Sequence, residues 1–165
     1  MNIALLILDV DGVMTDGQLH YGQDGEVVKV FHVHDGLGIK VAQANGIQVA
    51  VISAKDSAPL RKRLQDLAVA RVYLGVADKH QVYSSLLAEL NIDNEQVAYI
   101  GDDLVDLKVM RQVGFPVAVH NAQGIVKAAA KHTTERSGGH GAVREAIDYI
   151  LRQQVGMETA YKDYL

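Results

Sequence analysis

The amino-acid sequence predicts an α/β fold in three layers, a parallel β-sheet with helices on both faces. Three observations predict it. Short apolar runs alternate with amphipathic stretches along most of the chain, as a parallel sheet and its crossover helices require. The first run, Ile3 to Leu8, is apolar at six consecutive positions and reads as a strand buried on both faces. That run delivers Asp9 and Asp11, and then Gly12, to its C-terminal end, where open α/β sheets bind ligands.

The elements follow in order. After Asp16-Gly17, the segment 18–33 predicts a protruding β-hairpin around Gly22-Gln23-Asp24-Gly25, with Asp-Gly as its turn signal. Leu19, Tyr21, Val28 and Val30 on that hairpin need covering, and other subunits are one way to cover them. Folding back onto the chain's own sheet is the other way. Asp35 to Ala44 reads as a helix that ends at Asn45-Gly46. Ile47 to Ile52 is a second buried strand, ending at Ser53. Ser57 and Pro59 open a helix with Leu60, Leu64 and Leu67 on one face. Arg71 to Leu74 is a third strand, and Asp78 to Leu90 a helix with Val82, Leu86 and Leu90 inward. Val97 to Ile100 is a fourth strand, ending in Gly101-Asp102-Asp103. A helix over Leu104 to Val113, a fifth strand over Pro116 to Val119 and a short helix over Ile125 to Lys131 follow. The last helix runs from Ala142 to about Gln154, and Val155 to Leu165 has no pattern. Between Asp9 and Ser53 the hairpin and one helix use up the chain, so no cap domain is expected.

Composition narrows the function classes. The 165 residues suit a single domain, 1–165, and 48% hydrophobic with 22% charged residues is ordinary for a globular chain. A formal charge of −4 argues against nucleic acid and anionic membranes as partners. No cysteine is present, so thiolate nucleophiles and thiolate metal sites are excluded. The first apolar run is too short for a membrane span, and the expected compartment is the cytoplasm.

Four strand ends then offer Asp9 and Asp11, Ser53, Lys79 at the head of a helix, and Asp102, Asp103 and Asp106. These types in this order suit phosphoryl transfer through an aspartyl phosphate. A carboxylate can attack phosphorus, but two anions meet only if a cation bridges them. Hard oxygen ligands select Mg²⁺. A hydroxyl, a Lys and backbone amides would neutralise the transferring group. A second carboxylic acid can protonate the leaving oxygen and later activate water. Each residue also has an ordinary structural role open to it. Ser53 could cap a helix, Lys79 could be a solvated helix start, and Asp103 and Asp106 could serve the helix dipole. Arg63, beside Arg61 and Lys62, could lie on a solvated face, and Gly138-Gly139 could be a plain turn. His32 and His34 at strand spacing would share a face; substrate or interface contacts are preferred there over a metal pair.

The segments LLILDVDGVMTDG, VAVISA, DK and YIGDDLVD, in this order, resemble the haloacid dehalogenase (HAD) superfamily. The resemblance implies a Rossmann-like HAD fold with the first and fourth strands adjacent. It implies Asp9 as nucleophile, Asp11 as general acid/base, and Ser53 and Lys79 as phosphoryl binders. Mg²⁺ would be held by Asp9, the Asp11 carbonyl and Asp102, with Asp103 and Asp106 in support. The hairpin after DGVMTDG, the segment FHVHDGLGIK and the late GGHGAVRE narrow the likeness to the 3-deoxy-D-manno-octulosonate (KDO) 8-phosphate phosphatase family, over almost the whole chain. KDO is an acidic eight-carbon sugar of lipopolysaccharide. That resemblance implies a homotetramer, its hairpins forming a central barrel, with a neighbouring subunit closing each active site and the C-terminal tail able to reach the next one. It places sugar contacts on His32, Val33, His34, Asp35, Gly36, Lys40, Lys55 and Arg63, beside Asp11 and Lys79.

The chain departs from that family's pattern in three places. His34 stands where Arg is common, Ala54-Lys55 where Gly-Arg is common, and GGHG, with His140, where GGRG is common. Arg offers a planar fork to a carboxylate, and Lys and His do not, so these departures bear on the sugar and on efficiency more than on phosphatase chemistry. The alternatives are a phosphatase for a nine-carbon keto-acid sugar of the KDN 9-phosphate type, a non-catalytic assembly module of the same fold, and a phospho-accepting receiver. A receiver's phosphorylated Asp should end a middle strand, and here that strand ends in Ser53.

Overall fold

A computed structural model describes residues 1–165. The apolar runs form a six-stranded parallel sheet. Its strands are β1 (Leu5–Leu8), β4 (Gln48–Ile52), β5 (Arg71–Tyr73), β6 (Val97–Gly101), β7 (Phe115–Ala118) and β8 (His132–Thr133). The strand order is β5-β4-β1-β6-β7-β8. β2 (His20–Gly22) and β3 (Gly25–Val28) form a separate two-stranded antiparallel sheet.

The chain moves from β1 to β4 and β5, then returns to the other side of β1 as β6. Right-handed crossovers therefore place α1 (Val33–Ala44) and α2 (Ala58–Asp66) on one face. They place α3 (Lys79–Leu90), α4 (Leu107–Met110) and α5 (Gly124–Ala129) on the other. α6 (Ala142–Gln154) packs on α1, and α7 (Met157–Ala160) packs on α6. α3 meets α4, and α4 meets α5. The result is three layers around a core of 43 buried residues, with no cap domain. No helix is long and apolar enough to cross a membrane. The direction of winding reverses between β1 and β6, the switch point where such sheets hold ligands. Leu5 pairs with Val97 and Leu8 with Ile100, so Asp9 and the segment after Gly101 leave the sheet side by side.

Several boundaries differ from the sequence reading. The hairpin's second strand ends at Val28, and α1 starts at Val33 rather than Asp35. His32 caps that helix, its Nδ1 accepting the His34 N–H, so His32 and His34 are not at strand spacing. Burial of Asp35, Gly36, Ile39 and Ala42 against neighbours outweighs the β-like run before them. The expected helix over Leu104 to Val113 is a 3-10 turn, Leu104–Asp106, followed by the four-residue α4. The side chain of Asp106 closes that turn, accepting from the N–H groups of Asp102 and Asp103. β8 was not expected; its two residues carry no periodic signal, and it exists because Val117 and Ala118 offer it a ladder. The tail forms α7, tied down by the Asn45 amide donating to the Ala160 carbonyl at 3.0 Å and by Tyr161 donating to Asp148. In α3, Tyr83 and Leu86 are the buried apolar residues, while Val82 and Leu90 are only partly covered.

Candidate active site

Asp9 continues the β1 ladder for one residue, its N–H donating to Ile100 at 3.1 Å, and then the chain turns. Thr15, buried, braces that turn; its Oγ accepts from the N–H groups of Gly12 and Gly17 at 3.4 and 3.2 Å. Gly12 has φ +89°, and a Cβ there would stand 2.1 Å from Asp102 Oδ2, so only glycine lets the two strand-end loops meet. The Asn121 amide spans the same loop, donating to the Gly12 carbonyl at 3.0 Å and accepting from the Gly138 N–H at 2.6 Å. Gly138 lies so close that a Cβ would stand 1.8 Å from the Gly12 carbonyl oxygen. The late Gly-Gly segment is therefore a wall of the acidic loop rather than only a turn before α6.

Asp106 is the hub of the second loop. It is fully buried. Its Oδ1 accepts from Lys79 Nζ at 2.8 Å and the Tyr99 hydroxyl at 2.6 Å. Its Oδ2 accepts from the N–H groups of Asp102 and Asp103 at 3.0 and 3.3 Å. Asp103 caps the 3-10 turn, accepting from the Leu104 N–H at 2.7 Å. Lys79 enters from the first turn of α3, which Asp78 caps, and its Nζ lies 2.7 Å from Asp9 Oδ1.

Asp9, Asp102 and Asp106 thus offer oxygens within 4.8 Å of one another, against one ammonium. Burial, then the charge of Asp106, raises the Asp9 carboxyl to about 6, although Lys79 pulls it down. Burial, then the charges of Asp9 and Asp106, raises Asp102 to about 8. Burial opposes the Lys79 ammonium, but Asp9 and Asp106 outweigh it and raise that amine. Burial, then Asp106, lifts the Tyr99 phenol well above its ordinary value, so it stays a donor. Asp102 Oδ1 is buried with no hydrogen-bond partner. An excess of buried carboxylate with one unpaired oxygen is what a divalent cation with hard oxygen ligands would complete. Both oxygens of Asp106 are taken, so Asp9 and Asp102 are the side chains free to ligate.

The other expected residues are spread around this centre. Ser53, buried at the end of β4, accepts the Lys55 N–H at 3.1 Å and its hydroxyl donates to nothing in the chain. The Asp11 carboxyl accepts from Lys29 of the hairpin. Arg63 donates to the His32 carbonyl at 3.4 Å and lies over the Phe31 ring, so it is tied to the start of α1 rather than to a solvated face. Gly36 packs against that guanidinium. Asp35 is buried and accepts the Arg144 N–H at 2.8 Å, joining α1 to α6; burial raises its carboxyl. Val33, His34, Lys40 and Lys55 are exposed and form no ion pair. Lys55 faces the hairpin across a groove of about 760 Å³.

Tyr99, Thr15, Asn121 and Lys29 were not foreseen. The strand-end rule that found Asp9 and Asp102, applied to β7, would have reached Asn121. Tyr99 is the one polar-tipped residue in β6, a cue that its hydroxyl needs a buried partner.

A profile of the haloacid dehalogenase-like hydrolase family matches residues 69–147. The 3-deoxy-D-manno-octulosonate 8-phosphate phosphatase of Haemophilus influenzae is 48% identical over 153 residues, covering 93% of this chain and 85% of the relative. That of Yersinia pestis is 46% identical over 159 residues, covering 96% and 85%. The same-named phosphatase of Moraxella catarrhalis, solved with magnesium ion, phosphate ion and KDO, superimposes with TM-score 0.94 at 36% identity, covering 99% of this chain and 94% of that one. The cobalt-bound Haemophilus influenzae structure has TM-score 0.91 at 44% identity, covering 98% and 97%.

Proposed function

This chain belongs to the 3-deoxy-D-manno-octulosonate 8-phosphate phosphatase family, and on that premise we propose that it is a Mg²⁺-dependent phosphoric monoester hydrolase releasing phosphate from KDO 8-phosphate. One observation in the molecule carries this reading. Asp9 and Asp102 converge at the switch point, with Lys79 clamped between Asp9 and Asp106, and Asp102 keeps a buried oxygen unpartnered. Solved relatives hold magnesium or cobalt, which agrees with that donor set.

Mg²⁺ would be held by Asp9, Asp102 and the Asp11 carbonyl, and when bound it neutralises the phosphoryl oxygens that face these acids. Asp9 is the nucleophile in this reading; with its carboxyl at about 6 it is mostly ionised near neutral pH. Its oxygen bonds to phosphorus as the bond from phosphorus to the sugar oxygen breaks. Asp11 gives its proton to that leaving oxygen, then takes one from the water that attacks the phospho-aspartate and frees Asp9. The Ser53 hydroxyl and Lys79 ammonium donate to the transferring phosphoryl group. Asp103 and Asp106 hold the loop that carries Asp102.

Lys55, Arg63, Lys40, His32 and His34, with Val33, Asp35 and Gly36 shaping the start of α1, form the sugar-acid side of the site in this reading. The exposed cations among them suit a substrate that carries a carboxylate as well as a phosphate. The working unit is a homotetramer, each chain one domain over 1–165. Its support is the hairpin: Leu19, Tyr21, Val27, Val28 and Val30 are 46–62% exposed, an apolar surface that a second copy would cover. Such a substrate does not cross a bilayer unaided, so the cytoplasm, where lipopolysaccharide precursors would be needed, is the compartment proposed.

A panel of sugar phosphates and sugar-acid phosphates, assayed with Mg²⁺ and with EDTA, tests the activity. KDO 8-phosphate should be turned over fastest, only with Mg²⁺, and Asp9→Asn should abolish turnover while keeping a folded circular-dichroism spectrum. A faster nine-carbon acid phosphate would replace the substrate. Full activity in Asp9→Asn would remove the nucleophile.

A further inference from the structure

The ammonium of Lys29 makes the one hydrogen-bonded link from the hairpin to the acidic centre, and the proposed mechanism leaves it unused. Lys29 follows β3 on an otherwise exposed arm, yet its side chain is 1% exposed. It is clamped between two carboxylates. Glu26 Oε1 of the same hairpin lies 2.7 Å away, and Asp11 Oδ1 is its other partner. The Asp11 side chain is 24% exposed, and its Oδ2 makes no hydrogen bond within the chain.

Burying an ammonium is a poor way to anchor a hairpin. Desolvation of such a pair often cancels its attraction, and an apolar side chain of similar size anchors as well or better. What an ammonium does that a methionine cannot is fix one carboxylate oxygen in direction, leaving the other to face outward. We propose that Lys29 is a positioning residue for the acid–base step, holding Asp11 by Oδ1 so that Oδ2 faces the leaving oxygen, with Glu26 holding Lys29 in turn. The proposal rests on the reading of Asp11 as general acid/base. It also makes the hairpin part of the reaction geometry of its own chain, apart from any role between subunits.

Leaving-group dependence tests it. KDO 8-phosphate releases a basic alkoxide that needs a proton; p-nitrophenyl phosphate releases a weakly basic phenolate that does not. The rate of the first step, read as the burst of alcohol or p-nitrophenol with full-length protein and Mg²⁺, isolates bond cleavage from later hydrolysis. Lys29→Met should slow that burst about ten- to a hundredfold for KDO 8-phosphate, within the range of general acid catalysis, and by no more than about twofold for p-nitrophenyl phosphate. Lys29→Arg should restore most of the difference. Should Lys29→Met fail to fold, Glu26→Gln leaves Lys29 paired with Asp11 alone and should show a smaller loss of the same selectivity. Equal losses on both esters would make Lys29 a structural anchor and overturn the proposal. A raised KM for KDO 8-phosphate with an unchanged burst rate would make it a substrate contact and overturn it too. Asp9→Asn serves as the separate control: a burst from that variant means the proposed function, not the Lys29 inference, has failed.

Discussion

Replacing Asp106 should cost more stability than any other single change at the strand ends. Asp106→Ala removes one fully buried carboxylate that accepts from four donors. Lys79 retains Asp9, but the Tyr99 hydroxyl, in a fully buried residue, loses its only partner. The N–H groups of Asp102 and Asp103 lose theirs. A buried donor left unpaired costs about 1–3 kcal/mol, and breaking a buried ion pair by deleting one member costs about 3–5 kcal/mol. One gain offsets part of this: without its charge, the repulsion that raises Asp9 and Asp102 eases. The net expectation is a loss of about 3–5 kcal/mol. In a chain of this size each kcal/mol lowers Tm by about 2–4 °C, so Tm should fall by about 6–20 °C. Asp106→Asn keeps one acceptor oxygen but turns an N–H₂ group toward either the Lys79 and Tyr99 pair or the backbone pair. It should fall between wild type and alanine. Urea unfolding followed by circular dichroism in EDTA measures both variants without metal linkage. A loss below about 1 kcal/mol in Asp106→Ala would refute the hub, because four buried hydrogen bonds would then carry no net weight.

Protonation of the same acidic cluster sets a pH dependence. The raised carboxyls of Asp9, to about 6, and Asp102, to about 8, mean that the metal-free folded state holds extra protons between their ordinary value and those values. Metal-free stability should therefore fall as pH rises from about 4 to about 8, and the Tm gain from Mg²⁺ should grow over the same range; a gain independent of pH in thermal scans would contradict the assigned burial of charge. Tyr99→Phe removes one hydrogen bond to a buried carboxylate and should cost about 1.5–3 kcal/mol in urea unfolding, with the sheet intact. Asn121→Ala cuts the link between the Gly12 carbonyl and the Gly138 N–H and should lower kcat about tenfold, or roughly 1.4 kcal/mol, with little change in Tm; an unchanged kcat would show that the loop holds its shape without it.

The strands and the acids were legible in the sequence for one reason: a strand buried on both faces writes itself as an apolar run, and its last residue is conspicuous when charged. Asp9 and Asp102 stand out that way, Ser53 as the polar residue that ends the second such run, and Lys79 by its place at a helix head. The start of α1 was not, because the apolar and β-branched residues around Phe31 suit a strand as well as a cap. What decides for the helix is tertiary: Asp35 buried against the Arg144 N–H and Gly36 against the Arg63 guanidinium. The 3-10 turn after Asp103 was hidden for a similar reason. Leu104 to Val113 has helical composition, but the hydrogen bonds Asp106 accepts from Asp102 and Asp103 hold the chain in the tighter turn. Contacts between residues distant in sequence, such as Asn121 with Gly12 or Lys29 with Asp11, leave no local periodicity to read.

The hairpin links the acid–base pair to the outer surface of the chain. A two-stranded sheet standing alone is marginally stable in water, and this one pairs with no strand of the main sheet. Yet its clamp on Asp11 needs a defined position. Something must hold it, and its own surface points to a second copy: Tyr21 is 62% exposed and Val30 60%, with Val27, Val28 and Leu19 beside them. Covering a valine fully is worth about 1.5–3 kcal/mol, so several of them suffice to hold such an arm. In a symmetric assembly one substitution enters once per subunit, so Val28→Lys would place like charges at every copy of the interface. For the proposed tetramer, sedimentation should then show a shift toward monomer, with turnover per chain falling alongside it. The Tm gain from Mg²⁺ should persist, since Asp9 and Asp102 stand on the main sheet rather than on the arm. A Val28→Lys protein with unchanged assembly and full activity would overturn the placing of this face of the arm between copies.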